Sequence, residues 1–392
     1  MSRPPLEVAD IIRAAGDSFF NGSQGLTWQH RKVLNSILAC RTAALGGHVD
    51  ECSRCGHRVI SFNSCRNRHC PKCQTNARNR WLAARSRDLL PTTYVHVVFT
   101  LPSQVASLAL RNKRELYGLL FRASAETLLT VAADPRHLGA EIGFFSVLHT
   151  WNQQLLHHPH VHCVVPAGGL APDHTHWIAA SSHFFLPVKV LSRVFRGKFV
   201  DGLRQLYREG KLHFSGKLAY LRTAQAFAAW LRPLFRFDWV VYCKPPFGGA
   251  EHALHYLGAY THRIAISNHR LVALDDGMVT FRWRDSAHKN KKRLARLKVD
   301  KFLRRFLLHV LPQGFVRIRY FGFFAHRRRA TLLPRCFELF HVPTPVATER
   351  QNSGSDNTAF RCPLCQGPMV ILERLSPAET RLRSPPPEIR QC

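Results

Sequence analysis

The stretch His157-His158-Pro159-His160-Val161-His162-Cys163-Val164-Val165 constrains the fold more than any other part of the chain. Its β-branched residues favour a strand, and a strand sends residues i and i+2 to the same face. His160 and His162 therefore share one face, while Val161 and Cys163 point the other way, into a core. Neutral imidazole is the commonest protein metal ligand, so two of them side by side make half of a divalent-metal site. A sheet also holds such a pair more firmly than a loop does. A chain with 23 histidines produces some His-x-His by chance, so the reading depends on what surrounds it.

The charge balance narrows the partner. Lys+Arg 56 against Asp+Glu 25 leaves a formal net charge of +31 over 392 residues, a surplus that implies a polyanion. The basic residues run through segments that read as folded and form no single juxtamembrane cluster, which favours nucleic acid over an anionic bilayer. No run of apolar residues is long enough for a membrane-spanning helix. The first residues, Met1-Ser2-Arg3-Pro4-Pro5-Leu6-Glu7, lack the apolar core of a signal peptide. A cytosolic protein is expected, in which the 12 cysteines are reduced and clustered ones serve as metal ligands.

After helical periodicity over residues 6–45, the cysteines gather in Cys52-Ser53-Arg54-Cys55 and Cys70-Pro71-Lys72-Cys73. Each Cys-x-x-Cys can present two thiolates to one tetrahedral zinc, so the two pairs are expected to share a ribbon-type structural zinc site. Cys65 and His69, with His48 and His57, are left as candidates for a second zinc. Arg66, Arg68, Lys72, Arg78 and Arg80 surround the motif and suit it to docking a nucleic acid.

Residues 94–101 read as a buried strand closed by Pro102, residues 113–132 as a helix, and 142–151 and 239–243 as further strands. This order predicts an α+β domain with a mostly antiparallel sheet. Gly248-Gly249 then precede a helix over 250–263, on which Leu254, Leu257 and Thr261 share one face and His252, Tyr256, Tyr260 and Arg263 the other. Two phenols one helical turn apart are ordinary packing residues in most helices. Beside a histidine-bound cation they suit one reaction: a tyrosine hydroxyl attacks a phosphodiester in line and keeps its energy as a phosphotyrosine. Rejoining then needs no nucleotide, and the chain contains no G-x-x-x-x-G-K-[ST] loop.

In residues 94–102, 158–162 and 256–260, together with the cysteine module, the chain resembles the two-tyrosine HUH transposases of rolling-circle insertion sequences. HUH denotes His-hydrophobic-His, here His160-Val161-His162. The resemblance spans most of residues 6–330. It implies an HUH fold, with a central antiparallel sheet flanked by helices after a helical and zinc-ribbon-like N-terminal module. It also implies nicking and joining of single-stranded DNA at element ends, through 5′-phosphotyrosine at Tyr256 and Tyr260. The implied cofactors are catalytic Mg²⁺ or Mn²⁺ and structural Zn²⁺, in a prokaryotic, nucleoid-associated protein. HUH sites take a third polar ligand; Gln153, shortly before the histidines, is the candidate, with His149 and His158 as rivals.

The expected organisation is a zinc and DNA-recognition module over 1–85, a catalytic domain over 86–275, a basic part over 276–342 and a tail over 343–392. The basic part holds a loop at 288–293, a helix from Val299 and a strand over 315–320. The tail reads as a linker, a lone Cys362-Pro363-Leu364-Cys365 without an evident partner, and a disordered Pro-rich end from 375. Two other readings compete. A plasmid-type replication initiator or relaxase would use the same chemistry, and a non-catalytic zinc-dependent DNA-binding regulator would need only the charge and the cysteines.

Overall fold

The computed structural model describes residues 4–22, 25–244, 248–249, 252, 258, 264–285, 288–344 and 361–383, without the side chains of 75–77 and 80. The chain opens with helices α1 (Val8–Gly22) and α2 (Trp28–Ala39). Val8, Ile11, Ile12, Ala15 and Phe19 form the buried stripe of α1, and the Thr27 hydroxyl caps α2 by accepting from the His30 amide at 3.2 Å. Strands β1 (Gly47–Cys52) and β2 (Arg58–Phe62) follow, then α3 (Pro71–Arg85).

Next come β3 (Tyr94–Thr100), α4 (Ser103–Arg111), α5 (Lys113–Ala133), β4 (Phe144–Trp151) and β5 (His157–Pro166). A short hairpin, β6 (Gly168–Leu170) and β7 (Trp177–Ala179), leads to α6 (Val188–Arg208), α7 (Ala224–Leu231) and β8 (Val241–Cys243). The basic part contains β9 (Leu271–Asp275), β10 (Met278–Asp285), β11 (Lys291–Lys298), α8 (Val299–Leu307), β12 (Ile318–Phe321) and α9 (His326–Leu339). The tail adds β13 (Met369–Leu375) and α10 (Pro377–Arg383). The fold is thus α+β, and the strand pairs are antiparallel among the described residues.

The central sheet has the order β12-β4-β5-β3-β8, which puts the histidine strand in the middle. One face carries Val97, Phe99, Leu148, Val161, Cys163 and Val165, buried against α5 and α6 in the largest core. The other face carries His96, His149, His160 and His162, and beside them Tyr94, Phe145 and Val164, which pack against Trp81 and Leu82 of α3. Pro159, which has no N–H to give, sits where the β4–β5 register shifts between His149 and Trp151. Its carbonyl accepts from the Leu101 amide at 3.0 Å. A second core joins α1 and α2 to α8, β9 and β10, so the N-terminal helices share their hydrophobic interior with the basic part of the chain. Within the N-terminal region the half-buried Lys72 ammonium meets the Glu7 carboxylate at 2.6 Å.

Three expectations change. Residues 291–298 form the strand β11 inside the sheet β11-β10-β9, although a basic loop was expected over 288–293. Its alternation is masked because six of the eight side chains are exposed and five are charged. The strand expected over 315–320 begins at Ile318, since Phe315 turns into the main core. The tail is neither an isolated half-site nor disordered from 375. β13 adds to the edge of β1 in the sheet β13-β1-β2, and α10 packs on residues 43–45. Among the described residues, no helix is long and apolar enough to cross a membrane.

Candidate metal centre and zinc clusters

The β4–β5 hairpin builds the centre. Asn152 shapes its turn, its side-chain oxygen accepting from the amides of Gln154 and Leu156 at 2.9 Å each. This turn and the register shift beside Pro159 together pair His149 with His160 and Val147 with His162. His149, His160 and His162 therefore lie on one face, each offering a ring nitrogen, and those nitrogens fall within 4.8 Å of one another. The ring centroids of His149 and His162 are 4.4 Å apart, and those of His160 and His162 are 4.8 Å apart. Three imidazoles at this separation fit one small divalent cation with open positions left for substrate.

Each ring is held by a neighbour. His149 stacks on Trp151 at 4.5 Å. The His160 Nδ1–H donates to the His158 carbonyl at 2.7 Å, which leaves Nε2 as the lone-pair nitrogen. His162 Nδ1 and His96 Nε2 share a hydrogen at 2.8 Å, so His96 stands behind the centre as an orienting partner. Burial, then the charge of His158, pushes His160 down to about 4. Burial, then the nearby His149, His160 and His96, holds His162 well below its ordinary value. His160 and His162 are thus neutral near pH 7, the form that binds metal.

The third imidazole of the group is His149, where Gln153 was the expected ligand. Gln153 sits in the hairpin turn, beyond the last β4–β5 pair, where its carbonyl accepts from Arg270 at 2.5 Å. His158 contacts the His160 ring at 5.2 Å but is likewise outside the three-histidine group. The hairpin was the signal for His149: counting back across a turn at 152–156 sets residue 149 opposite 159, and the register shift beside Pro159 moves it to 160. Tyr256 and Tyr260 lie outside the described residues. Between them in sequence, Gly258 is buried against α3, where a Cβ would come within 2.9 Å of Leu82 and 3.6 Å of Arg78. α3 covers the histidine-bearing face of the sheet.

The cysteines form two four-thiol clusters, and their grouping differs from the single site expected for Cys52, Cys55, Cys70 and Cys73. Cys70 and Cys73 join Cys40 and Cys65, with Cys73 Sγ 3.5 Å from Cys40 and 3.6 Å from Cys65. Cys70 occupies the N-cap position of α3, with Pro71 in the first turn. Cys52 and Cys55 instead join Cys362 and Cys365. The β1–β2 hairpin separates the two motifs, so one ion cannot reach both. Cys65 is in a cluster but His69 is not. Buried His69 accepts from the Leu311 amide at 3.2 Å and contacts Asn67, and burial followed by the charge of Arg68 pushes it down to about 3. Arg68 also turns inward, donating to the Phe315 carbonyl at 2.5 Å. With Lys72 bound to Glu7, the basic rim around the cysteines is smaller than the sequence suggests.

Residues 11–101 match the family model described as "Transposase zinc-binding domain", and residues 143–331 match one described as "Putative transposase". The chain is 52% identical over 383 residues to "Putative transposase y4qJ" of Sinorhizobium fredii, covering 95% of this chain and 96% of the relative. It is 28% identical over 358 residues to "Transposase for insertion sequence element IS801" of Pseudomonas savastanoi pv. phaseolicola, covering 88% and 84%. No solved structure matches. Four-thiol clusters in a zinc-binding region, joined to a transposase region, define an enzyme that acts on DNA and carries structural zinc. The chain belongs to the IS91-type family of rolling-circle transposases.

Proposed function

We propose that this transposase nicks and rejoins single-stranded DNA at the ends of its element through 5′-phosphotyrosine intermediates on Tyr256 and Tyr260. The observation that carries the reading is the convergence of His149, His160 and His162 across two neighbouring strands in the middle of an antiparallel sheet. That arrangement supports an HUH-type catalytic unit. These three residues would hold Mg²⁺ or Mn²⁺, which when bound withdraws charge from the scissile phosphate. The burial of Gly258 on the helix covering the histidine face supports bringing the tyrosines to the same side of the sheet.

In the first step a tyrosine Oη forms a bond to phosphorus and the bond from phosphorus to the 3′ oxygen breaks. The phenolic proton is lost and the leaving oxygen gains one, giving a free 3′ hydroxyl. In the second step a 3′ hydroxyl attacks the same phosphorus and the tyrosine oxygen leaves. The number of phosphodiester linkages is unchanged, so no nucleotide is consumed. The second tyrosine permits a further cleavage while the first is occupied. The exposed basic side chains of β11, including Lys291, Lys292 and Arg293, offer phosphate contacts for the strand.

The test is a suicide oligonucleotide carrying the element end, resolved by denaturing gel. A metal-dependent covalent adduct is expected from the wild type and none from the Tyr256→Phe/Tyr260→Phe double variant. An adduct that persists in the double variant, or no adduct from a wild type that binds the DNA, would leave a non-catalytic zinc protein as the better reading.

A further inference from the structure

The Cys362-Pro363-Leu364-Cys365 motif lies outside both matched regions, yet the fold brings it to the N-terminal cysteines. Cys52 Sγ is 3.4 Å from Cys365, and Cys55 Sγ is 3.6 Å from Cys362 and 3.5 Å from Cys365. A disulfide would need about 2.05 Å, whereas a zinc tetrahedron with bonds of about 2.3 Å has edges of roughly 3.8 Å. The thiols are spaced for an ion, not for a bond to each other.

The backbones of the two motifs also match. In the first, the Gly56 amide donates to the Cys52 carbonyl and the Cys52 amide to the His57 carbonyl, both at 2.9 Å. In the second, the Gln366 amide donates to the Cys362 carbonyl and the Cys362 amide to the Gly367 carbonyl, again both at 2.9 Å. Residues Gly56 and Gln366 occupy the same left-handed position, with φ 69° and 58°. Two loops that are 307 residues apart thus form the same knuckle, each aiming two thiols at a common centre. The approach is close: a Cβ on Gly367 would lie 3.0 Å from Cys52 Sγ and 3.2 Å from Cys365 Sγ. The Ser53 amide donates to the Pro368 carbonyl at 3.1 Å and continues directly into the β1–β13 ladder.

We propose that Cys52, Cys55, Cys362 and Cys365 bind a zinc ion of their own, separate from that of the Cys40 cluster, which fastens residues 361–383 to the N-terminal module as its third strand. Each chain then carries two tetrathiolate zincs. The folded N-terminal unit is completed from the far end of the chain, after the whole catalytic region. Beyond its ladder with β1, β13 buries little side-chain surface, since residues 370–374 are exposed. The ion at one end and α10 at the other add to that ladder.

The experiment compares zinc per chain, by elemental analysis of full-length protein, with limited proteolysis of the tail. Cys362→Ala/Cys365→Ala should bind one zinc fewer than the wild type, keep its main thermal transition and release the tail to protease. Cys365→His restores a fourth ligand and should restore both the zinc and the protection. Cobalt substitution should show two tetrathiolate sites in the wild type and one in the double alanine variant. Unchanged zinc content in the alanine variant would overturn the proposal. So would a Cys52–Cys365 disulfide trapped by alkylation of freshly isolated protein. These readouts do not involve DNA cleavage, so they stand or fall apart from the tyrosine chemistry.

Discussion

Replacing His149 with alanine tests the metal centre most directly. The side chain is 4% exposed, stacks on Trp151 at 4.5 Å and sits 4.4 Å from the His162 ring. In the proposed centre it is one of three donors, so its loss should exceed the roughly 10–100-fold fall typical when an outer partner of a metal ligand is removed. At least about 100-fold weaker Mn²⁺ binding is expected, which is about 2.7 kcal/mol. Burial adds a stability cost of about 0.5–3 kcal/mol, so affinity must be read well below the variant's melting temperature. Gln153→Ala is the control: the side chain is exposed, and the backbone carbonyl that accepts from Arg270 survives the change. It should alter Mn²⁺ affinity less than about twofold, within the usual range for surface substitutions. Calorimetric titration with Mn²⁺ suits the measurement, because a hard cation does not compete for thiolate zinc. If His149→Ala binds Mn²⁺ like the wild type while Gln153→Ala loses tenfold or more, the hairpin argument fails.

Two further outcomes follow from the packing. Gly322 has φ 58°, and a Cβ there would collide with the Ile142 carbonyl; Gly322→Ala should therefore lose several kcal/mol (about 3 or more), as a lowered denaturation midpoint would show. Buried His309 and half-buried His157 are pushed down by desolvation to about 3 and about 4, so the native state holds them neutral while the unfolded chain protonates near 6.5. Their contribution is complete above pH 6.5. Each then loses about 1.4 kcal/mol per pH unit as pH falls toward its folded value. Urea midpoints at pH 7.5 and 5 should differ accordingly, and Tyr117→Phe, which removes the 2.8 Å partner of His157, should leave the His309 share intact. A flat profile over this window would refute the assignment.

Some of this was open to reading along the chain, because strand and helix periodicity are local. The two-residue repeat alone puts His160 and His162 on one face and Val161 and Cys163 in the core, and the burial of those residues follows it. The same holds for α5 and for the N-terminal helices, whose apolar stripes are buried as spaced. Even the tail helix had a local signature that the proline-rich composition obscured. Ser376-Pro377-Ala378-Glu379 is a capping box with proline in the first turn, and the Ser376 amide and Glu379 carboxylate meet at 2.8 Å.

What spacing could not decide was which ligands share an ion. Cys52 and Cys55 are nearer in sequence to Cys70 and Cys73, yet their partners are Cys362 and Cys365. His149 likewise belongs with His160 through a hairpin register, not through a motif. Proximity along the chain is weak evidence here because closing a long loop costs only slightly more entropy than closing a short one, about 0.6 kcal/mol per doubling. Residue types and faces were therefore determined by the sequence itself. The membership of each coordination sphere was decided only when β13 paired with β1 and β4 with β5, since strand pairing rewards contacts between segments regardless of how far apart they lie.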